Sequence, residues 1–220
     1  MLSTGSKIAA AVIVFCITLF NGIAAADTTA LSENFQNTPT GPLGDPWRLT
    51  VNGASTAVVV DTADHGRVLN LRGSKTIPDS LVATRPFASA ATEVQFSFAV
   101  NASAGSSFQT ELNGTGNSYF SRHLNLRLDP GSNTLVALTS PTGLTDCGPL
   151  ARGAWSTVTL RVHETVLPHT YDVLINGART SCTGIETRQS APFTGISVID
   201  GLDTGQGGSV LFDDFLVTTP

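Results

Sequence analysis

The chain has 220 residues, a net charge of −5, 41% hydrophobic residues and only 13% charged ones. Its 29 Thr and 20 Ser outnumber the charged side chains, and it lacks the Glu and Lys content that coiled coils and helical bundles need. The hydrophobic share excludes a disordered chain, and an acidic chain without a basic cluster has no electrostatic footprint for nucleic acid.

At the N-terminus, Met1 to Lys7 carry one basic side chain, and Ile8 to Phe20 form an apolar run of 13 residues. That run is shorter than the ~20 residues a membrane-spanning helix requires. With the small residues Ala24-Ala25-Ala26 behind it, it predicts a secretory signal peptide over 1–26, cut before Asp27. A retained signal anchor is the alternative. Bulky Val14-Phe15 before Cys16 argues against a lipoprotein. Residues 27–220 then form a single domain of 194 residues, eleven basic against seventeen acidic, for a net charge of −6. This length buries a two-layer core. The expectation is a soluble protein outside the cytoplasm, with no membrane association after cleavage.

From there the chain reads as strands. Candidates in order are 31–36, 47–51, 57–61, 67–71 and 80–85. Val94, Phe96, Phe98 and Val100 then alternate with Glu93, Gln95, Ser97 and Ala99, the period of a half-buried strand. A strand at 108–112 follows, then Leu124, Leu126 and Leu128 alternating with Asn125, Arg127 and Asp129. A strand at 134–139 precedes Val158, Leu160 and Val162, which alternate with Thr157, Thr159, Arg161 and His163. The last are 171–176, 195–199 and 210–217. Turn signals divide them, among them Asp129-Pro130-Gly131 and the hairpin pair Asn176-Gly177. About thirteen strands without a helical period predict an all-β fold: an antiparallel two-sheet β-sandwich of the jelly-roll kind. Cys147 and Cys182, with no Cys-x-x-Cys spacing, read as one disulfide in an oxidising compartment.

Three stretches carry a family resemblance. Ser32-Glu33-Asn34-Phe35 is followed by Pro46-Trp47-Arg48-Leu49. Gly153-Ala154-Trp155 opens a strand that leads to Tyr171-Asp172-Val173-Leu174-Ile175-Asn176-Gly177. Val210 to Val217 place Asp213-Asp214 inside an apolar strand. Together they resemble the concanavalin A-like lectin/glucanase superfamily, in its laminin-G-like and bacterial jelly-roll branches. The resemblance implies first and last strands side by side, Trp47 and Trp155 in the core, with sugar-stacking platforms as the alternative for both, and often an ion between the terminal strands. The Glu-x-Asp-x-x-Glu strand of the family's glucanases is missing, as are the Arg-rich and Gln-x-His strands of its alginate lyases.

Asp213 and Asp214 are the most unusual residues. On a regular strand they face opposite sides, which directs one inward with Leu211, Phe215 and Val217. A buried ionised Asp is costly without a partner. A structural Ca²⁺ held by Glu33, Asp213 and Asp214 would supply one, since hard cations collect oxygen ligands; backbone N–H groups would be the alternative. Asp200 and Asp203 beside Gly205–Gly208, and Asp61 with Asp64, read as solvated loop acids. Tyr119, Phe120, Arg122 and His123 follow a polar Gly/Asn stretch, where a sandwich loop presents ligand-binding side chains. His163 and His169 read as surface histidines, because no nucleophile motif accompanies them.

The expected function is that of a secreted, non-catalytic, lectin-like protein whose partner is a polysaccharide or other glycan. One alternative is a polysaccharide lyase or glycoside hydrolase with a diverged site, for which Tyr119, Arg122 and His123 are the only local grouping of base and cation. Another is an extracellular scaffold that binds protein.

Overall fold

The computed structural model describes residues 27–74, 80–87, 93–114, 122–138, 143–165, 167–186, 192–200 and 208–219. The predicted signal peptide therefore lies outside the described residues. In chain order the strands are β1 (Thr28–Glu33), β2 (Gly41–Pro42), β3 (Arg48–Asn52), β4 (Thr56–Thr62), β5 (Gly66–Gly73) and β6 (Ser80–Pro86). They continue as β7 (Glu93–Ala102), β8 (Phe108–Asn113), β9 (Arg122–Leu128), β10 (Thr134–Leu138), β11 (Leu144–Pro149) and β12 (Ser156–His163). The last are β13 (Thr170–Ile175), β14 (Ala178–Arg179), β15 (Ile185–Glu186), β16 (Gly195–Asp200) and β17 (Gly208–Thr219). No helix occurs among the described residues.

Two antiparallel sheets stack as a jelly-roll sandwich. The first runs β14-β13-β12-β7-β17-β5-β4-β2, with β1 added on β17 and β15 on β13; the second runs β11-β10-β9-β8-β16-β6-β3. Each of the thirteen predicted strands has a counterpart. The four additional ones are the two-residue β2, β14 and β15, and the Gly/Pro-containing edge strand β11.

Period-two alternation places the core. Val94, Phe96, Phe98 and Val100 of β7 pack inward with Val158, Leu160 and Val162 of β12, against Leu124, Leu126 and Leu128 of β9. Trp47 is buried, stacked on Phe35 at 5.9 Å and edge-on to Phe215 at 5.4 Å. Asn176 and Gly177 both take positive φ, 51° and 76°, and close the β13–β14 hairpin as a two-residue turn requires. The Cys147–Cys182 disulfide forms. It ties edge strand β11 of the second sheet to the chain beside β13, where Val173 N–H donates to the Cys182 carbonyl at 2.8 Å.

First and last strands pair from Thr28↔Thr219 to Glu33↔Phe215. β17 thus has two partners on one side: β5 up to Phe212↔Leu69, then β1 from Phe215 onward. Asp213 and Asp214 sit where it changes partner.

Candidate functional site

At that junction β17 is bulged. Against β7, Asp213 pairs with Ala99 and Leu216 with Ser97, so two residues of β17 oppose Phe98 alone. Asp214 absorbs the extra residue at φ 50°, in the left-handed region that Asp tolerates better than most residues. The core-facing residues of β17 are Val210, Phe212, Phe215 and Val217, a spacing of two, three and two. Both carboxylates between the two phenylalanines therefore lie on the outer face of the first sheet. This corrects the strict-alternation reading, which sent one of them into the core.

The β4–β5 turn covers them. His65 Nδ1 lies 3.2 Å from Asp213 Oδ2. One ligand atom from each of His65, Asp213 and Asp214 falls within 4.8 Å of the others, a group capable of holding a metal ion. Asp213 is 2% exposed although it lies on the outer side of its sheet, and its Oδ1 has no hydrogen-bond partner among the described residues. Burial pushes the Asp213 carboxyl above the usual carboxylate range and the Asp214 charge adds to that, while hydrogen bonds from His65 and the Asp214 backbone oppose it.

Trp155 completes this surface. Its ring stacks on His65 with centroids 4.0 Å apart and 23° between planes, and its Nε1–H donates to Asp64 Oδ2 at 2.9 Å. Trp155 is half-buried on the outside of the first sheet rather than in the core, because it shares the outward phase of Thr157 on β12. The turn is fixed from beneath: Gln36 Nε2 donates to the carbonyls of His65 and Arg67, both at 3.1 Å. Gly66 has φ +67°, and a Cβ there would meet Gln36 Oε1 at 2.5 Å. A groove lined by Ser32, Glu33, Asn34, Ser97, Thr157 and Leu216 opens beside Asp214.

A second polar array crosses the outer face of the second sheet. The inward residues there are Phe108 and Leu112 of β8, Leu124 and Leu126 of β9, Ile196 and Val198 of β16, and Leu81 and Ala83 of β6. Alternation turns Asn125, Glu111, Ser197 and Thr84 outward, and the registers place these four side by side on adjacent strands. Asn125 Nδ2 donates to Glu111 Oε1 at 3.2 Å, and Gln109 Nε2 donates to the same oxygen. Asn113 Nδ2 donates to Ser197 Oγ at 2.7 Å, and Thr84 Oγ1 shares a hydrogen bond with Ser197 Oγ at 2.9 Å. Gln109, Glu111, Asn125 and Ser197 are all buried.

Of the residues singled out from sequence, the structure brings Asp213 and Asp214 together and leaves Glu33 apart. The Glu33 carboxylate lies 3.9 Å from Arg85 Nε on β6 and accepts from the Phe35 N–H at 3.2 Å. Tyr119 and Phe120 lie outside the described residues; for Arg122 and His123, the first residues of β9, only the backbone is described. Asp200 is buried at the end of β16, not solvated, while Asp203 lies outside the described residues. His163 is at the surface, between Glu93 at 3.5 Å and Asp172 at 3.8 Å.

No protein-family model and no curated protein matches the chain. Solved structures do. A sialidase superposes with a TM-score of 0.68 at 13% identity, over 87% of this chain, which corresponds to 18% of the sialidase's length. The cellulose induced protein Cip1 superposes with a TM-score of 0.60 at 14% identity, over 86% of this chain and 97% of its own. An endo-1,3-beta-glucanase from Streptomyces sioyaensis superposes with a TM-score of 0.59 at 14% identity, over 90% and 98% of the two chains. At such identities the likeness establishes the fold alone.

Proposed function

We propose that this is a secreted, non-catalytic glycan-binding domain whose ligand lies on the outer face of the second sheet. The observation that carries the reading is the row Asn125, Glu111, Ser197 and Thr84. A carboxylate, an amide and two hydroxyls stand in register on neighbouring strands, held by one another. Sugar hydroxyls are donors and acceptors at once, and a rigid array of such groups pairs with them at little cost in ordering. The Asn125 Oδ1 is buried with no hydrogen-bond partner among the described residues, an unsatisfied acceptor within the row.

Binding is favoured over hydrolysis by the environment of Glu111. Gln109 and Asn125 hold one of its oxygens in the polar row, and the Glu-x-Asp-x-x-Glu strand that would pair it with further carboxylates is missing. Solved neighbours with carbohydrate enzymes in their descriptions, such as the endo-1,3-beta-glucanase, keep a catalytic role as the alternative. Secretion with loss of residues 1–26 belongs to the same proposal, and the Cys147–Cys182 disulfide suits an oxidising compartment. A structural ion fits at His65, Asp213 and Asp214, where it would tie the β4–β5 turn to β17. Ca²⁺ is the ion the family resemblance implies, and the nitrogen donor of His65 argues for a different one.

Affinity electrophoresis through gels containing neutral and acidic polysaccharides tests the reading. Retardation in one gel is expected, lost in Glu111→Gln and Thr84→Val variants whose circular dichroism is unchanged. Release of reducing ends or unsaturated products by the unmodified protein would replace binding with catalysis. Normal mobility in every gel would end the glycan reading.

A further inference from the structure

We propose that His65, Asp213 and Asp214 form a site for a divalent cation of the zinc class, and that this chain has departed from the calcium its fold resemblance implies. The inference stands apart from the glycan reading, since the site lies on the opposite sheet.

The donor set decides the ion. Calcium takes six to eight oxygen ligands. Here an imidazole nitrogen faces the carboxylates, and Glu33, which would have enlarged an oxygen set, is turned to Arg85. One imidazole and two carboxylates match the nitrogen and oxygen chemistry of zinc and its neighbours. The spacing fits as well. Two donors on one tetrahedral zinc stand about 3.3 Å apart for bonds of about 2.0 Å, and His65 Nδ1 and Asp213 Oδ2 are 3.2 Å apart. Asp214 is exposed and within 4.8 Å, so a side-chain rotation brings it in.

Burial supplies the independent sign of a ligand. Asp213 is 98% buried by its 2% exposure, yet Oδ1 has no hydrogen-bond partner among the described residues. His65 and the Asp214 backbone reach this carboxylate and still leave Oδ1 without a partner among the described residues, with a second carboxylate alongside. A cation satisfies both and offsets the repulsion between Asp213 and Asp214.

The surroundings are those of a preorganised centre. Trp155 stacks on the His65 ring and is itself anchored by Asp64. The His65 N–H donates to Thr62 Oγ1 at 3.2 Å, and Gln36 holds the carbonyl of His65. Such outer contacts orient first-shell ligands. Three protein ligands leave a fourth position for water or a bound ligand beside the groove next to Asp214.

The test is metal content and thermal stability of tag-free protein after chelation and dialysis, with Zn²⁺ or Ca²⁺ added back. Cys147 and Cys182 are joined, so neither thiol competes. One equivalent of Zn²⁺ should bind and raise Tm, Co²⁺ should give the visible absorption of a tetrahedral site, and millimolar Ca²⁺ should do neither. Affinity for Zn²⁺ should fall at least about tenfold in His65→Ala and in Asp214→Asn. It should persist in His163→Ala, which removes a histidine placed between Glu93 and Asp172. Binding of Ca²⁺ that survives His65→Ala would overturn the assignment in favour of an oxygen site. No binding of either ion would leave His65 and Asp213 as a hydrogen-bonded pair and overturn it equally.

Discussion

Replacing Glu164 with glutamine should stabilise the protein above neutral pH and leave it unchanged near the ordinary carboxyl pKa of 4.5. Glu164 follows β12, is only 6% exposed, and its Oε1 has no hydrogen-bond partner among the described residues. Burial, then the charge of Glu93, push its carboxyl up to about 7. Glu93 is itself fixed in place, accepting from Thr165 Oγ1 at 2.8 Å. In the unfolded chain the carboxyl ionises near 4.5, whereas the folded chain holds its proton until about 7. Between those values folding takes up a proton, so this group's contribution to stability falls as pH rises through the window and levels off above it. The gap between the two values corresponds to at most about 3 kcal/mol. Glutamine keeps the shape and stays neutral, so it removes the dependence.

For a domain of this size that bound corresponds to a rise in Tm of no more than about 6–12 °C. Urea unfolding of both proteins should be followed from about pH 4.5 to about pH 8. The difference between them, rather than either curve, isolates Glu164 from other titrating groups. It should open between 4.5 and 7 and stay constant beyond. A difference independent of pH, or one that grows towards acid, would refute the reasoning. Glu93→Gln should narrow the window without closing it, because Glu93 is the smaller cause.

The disulfide joins residues 35 apart in sequence, so Cys147→Ser with Cys182→Ser should cost about 4 kcal/mol by loop-closure entropy, read as a lowered urea midpoint that reductant no longer shifts. Phe215→Ala should cost about 3–5 kcal/mol by equilibrium unfolding; its ring touches those of Phe35, Trp47, Phe96, Phe98 and Phe212. Arg152 donates to the carbonyls of Ser103, Ser106, Asp129 and Ser132. Lysine lacks the planar fork that reaches several carbonyls at once, so Arg152→Lys should cost about 2–4 kcal/mol and speed hydrogen exchange in both loops.

The fold was legible because burial obeys period two wherever one face of a strand meets the other sheet. β7, β9 and β12 show it residue by residue. The strand that escaped notice, β11, is Leu-Thr-Asp-Cys-Gly-Pro at the edge of the second sheet. It buries only Cys147, and its partner β10 supplies the pairing. An edge strand held by a disulfide need not carry an apolar face, so no alternation marks it. The two-residue strands are likewise consequences of neighbouring strands, not of their own side chains.

The site was half legible, and the other half had a trace in the sequence. Val210, Phe212, Phe215 and Val217 slip phase by one residue between the phenylalanines. No regular strand buries all four on one side, so the slip itself encodes a bulge, and a bulge there turns both aspartates outward. That inference removes the expectation of an inward carboxylate and asks what covers an outward one. His65 lies 148 residues away along the chain from Asp213, and only the β4–β5–β17 order brings it over the bulge. Trp155 was misplaced for a related reason. Its motif marks where β12 begins, yet its parity with Thr157 and against Val158 already set it on the outer face. Glu33 shows the converse: it shares the parity of buried Leu31, which turns it towards the second sheet and Arg85. Phase along each strand, taken ahead of motif identity, sorts Asp213, Asp214, Trp155 and Glu33 to their correct sides. The pairing of distant turns then decides which of them meet.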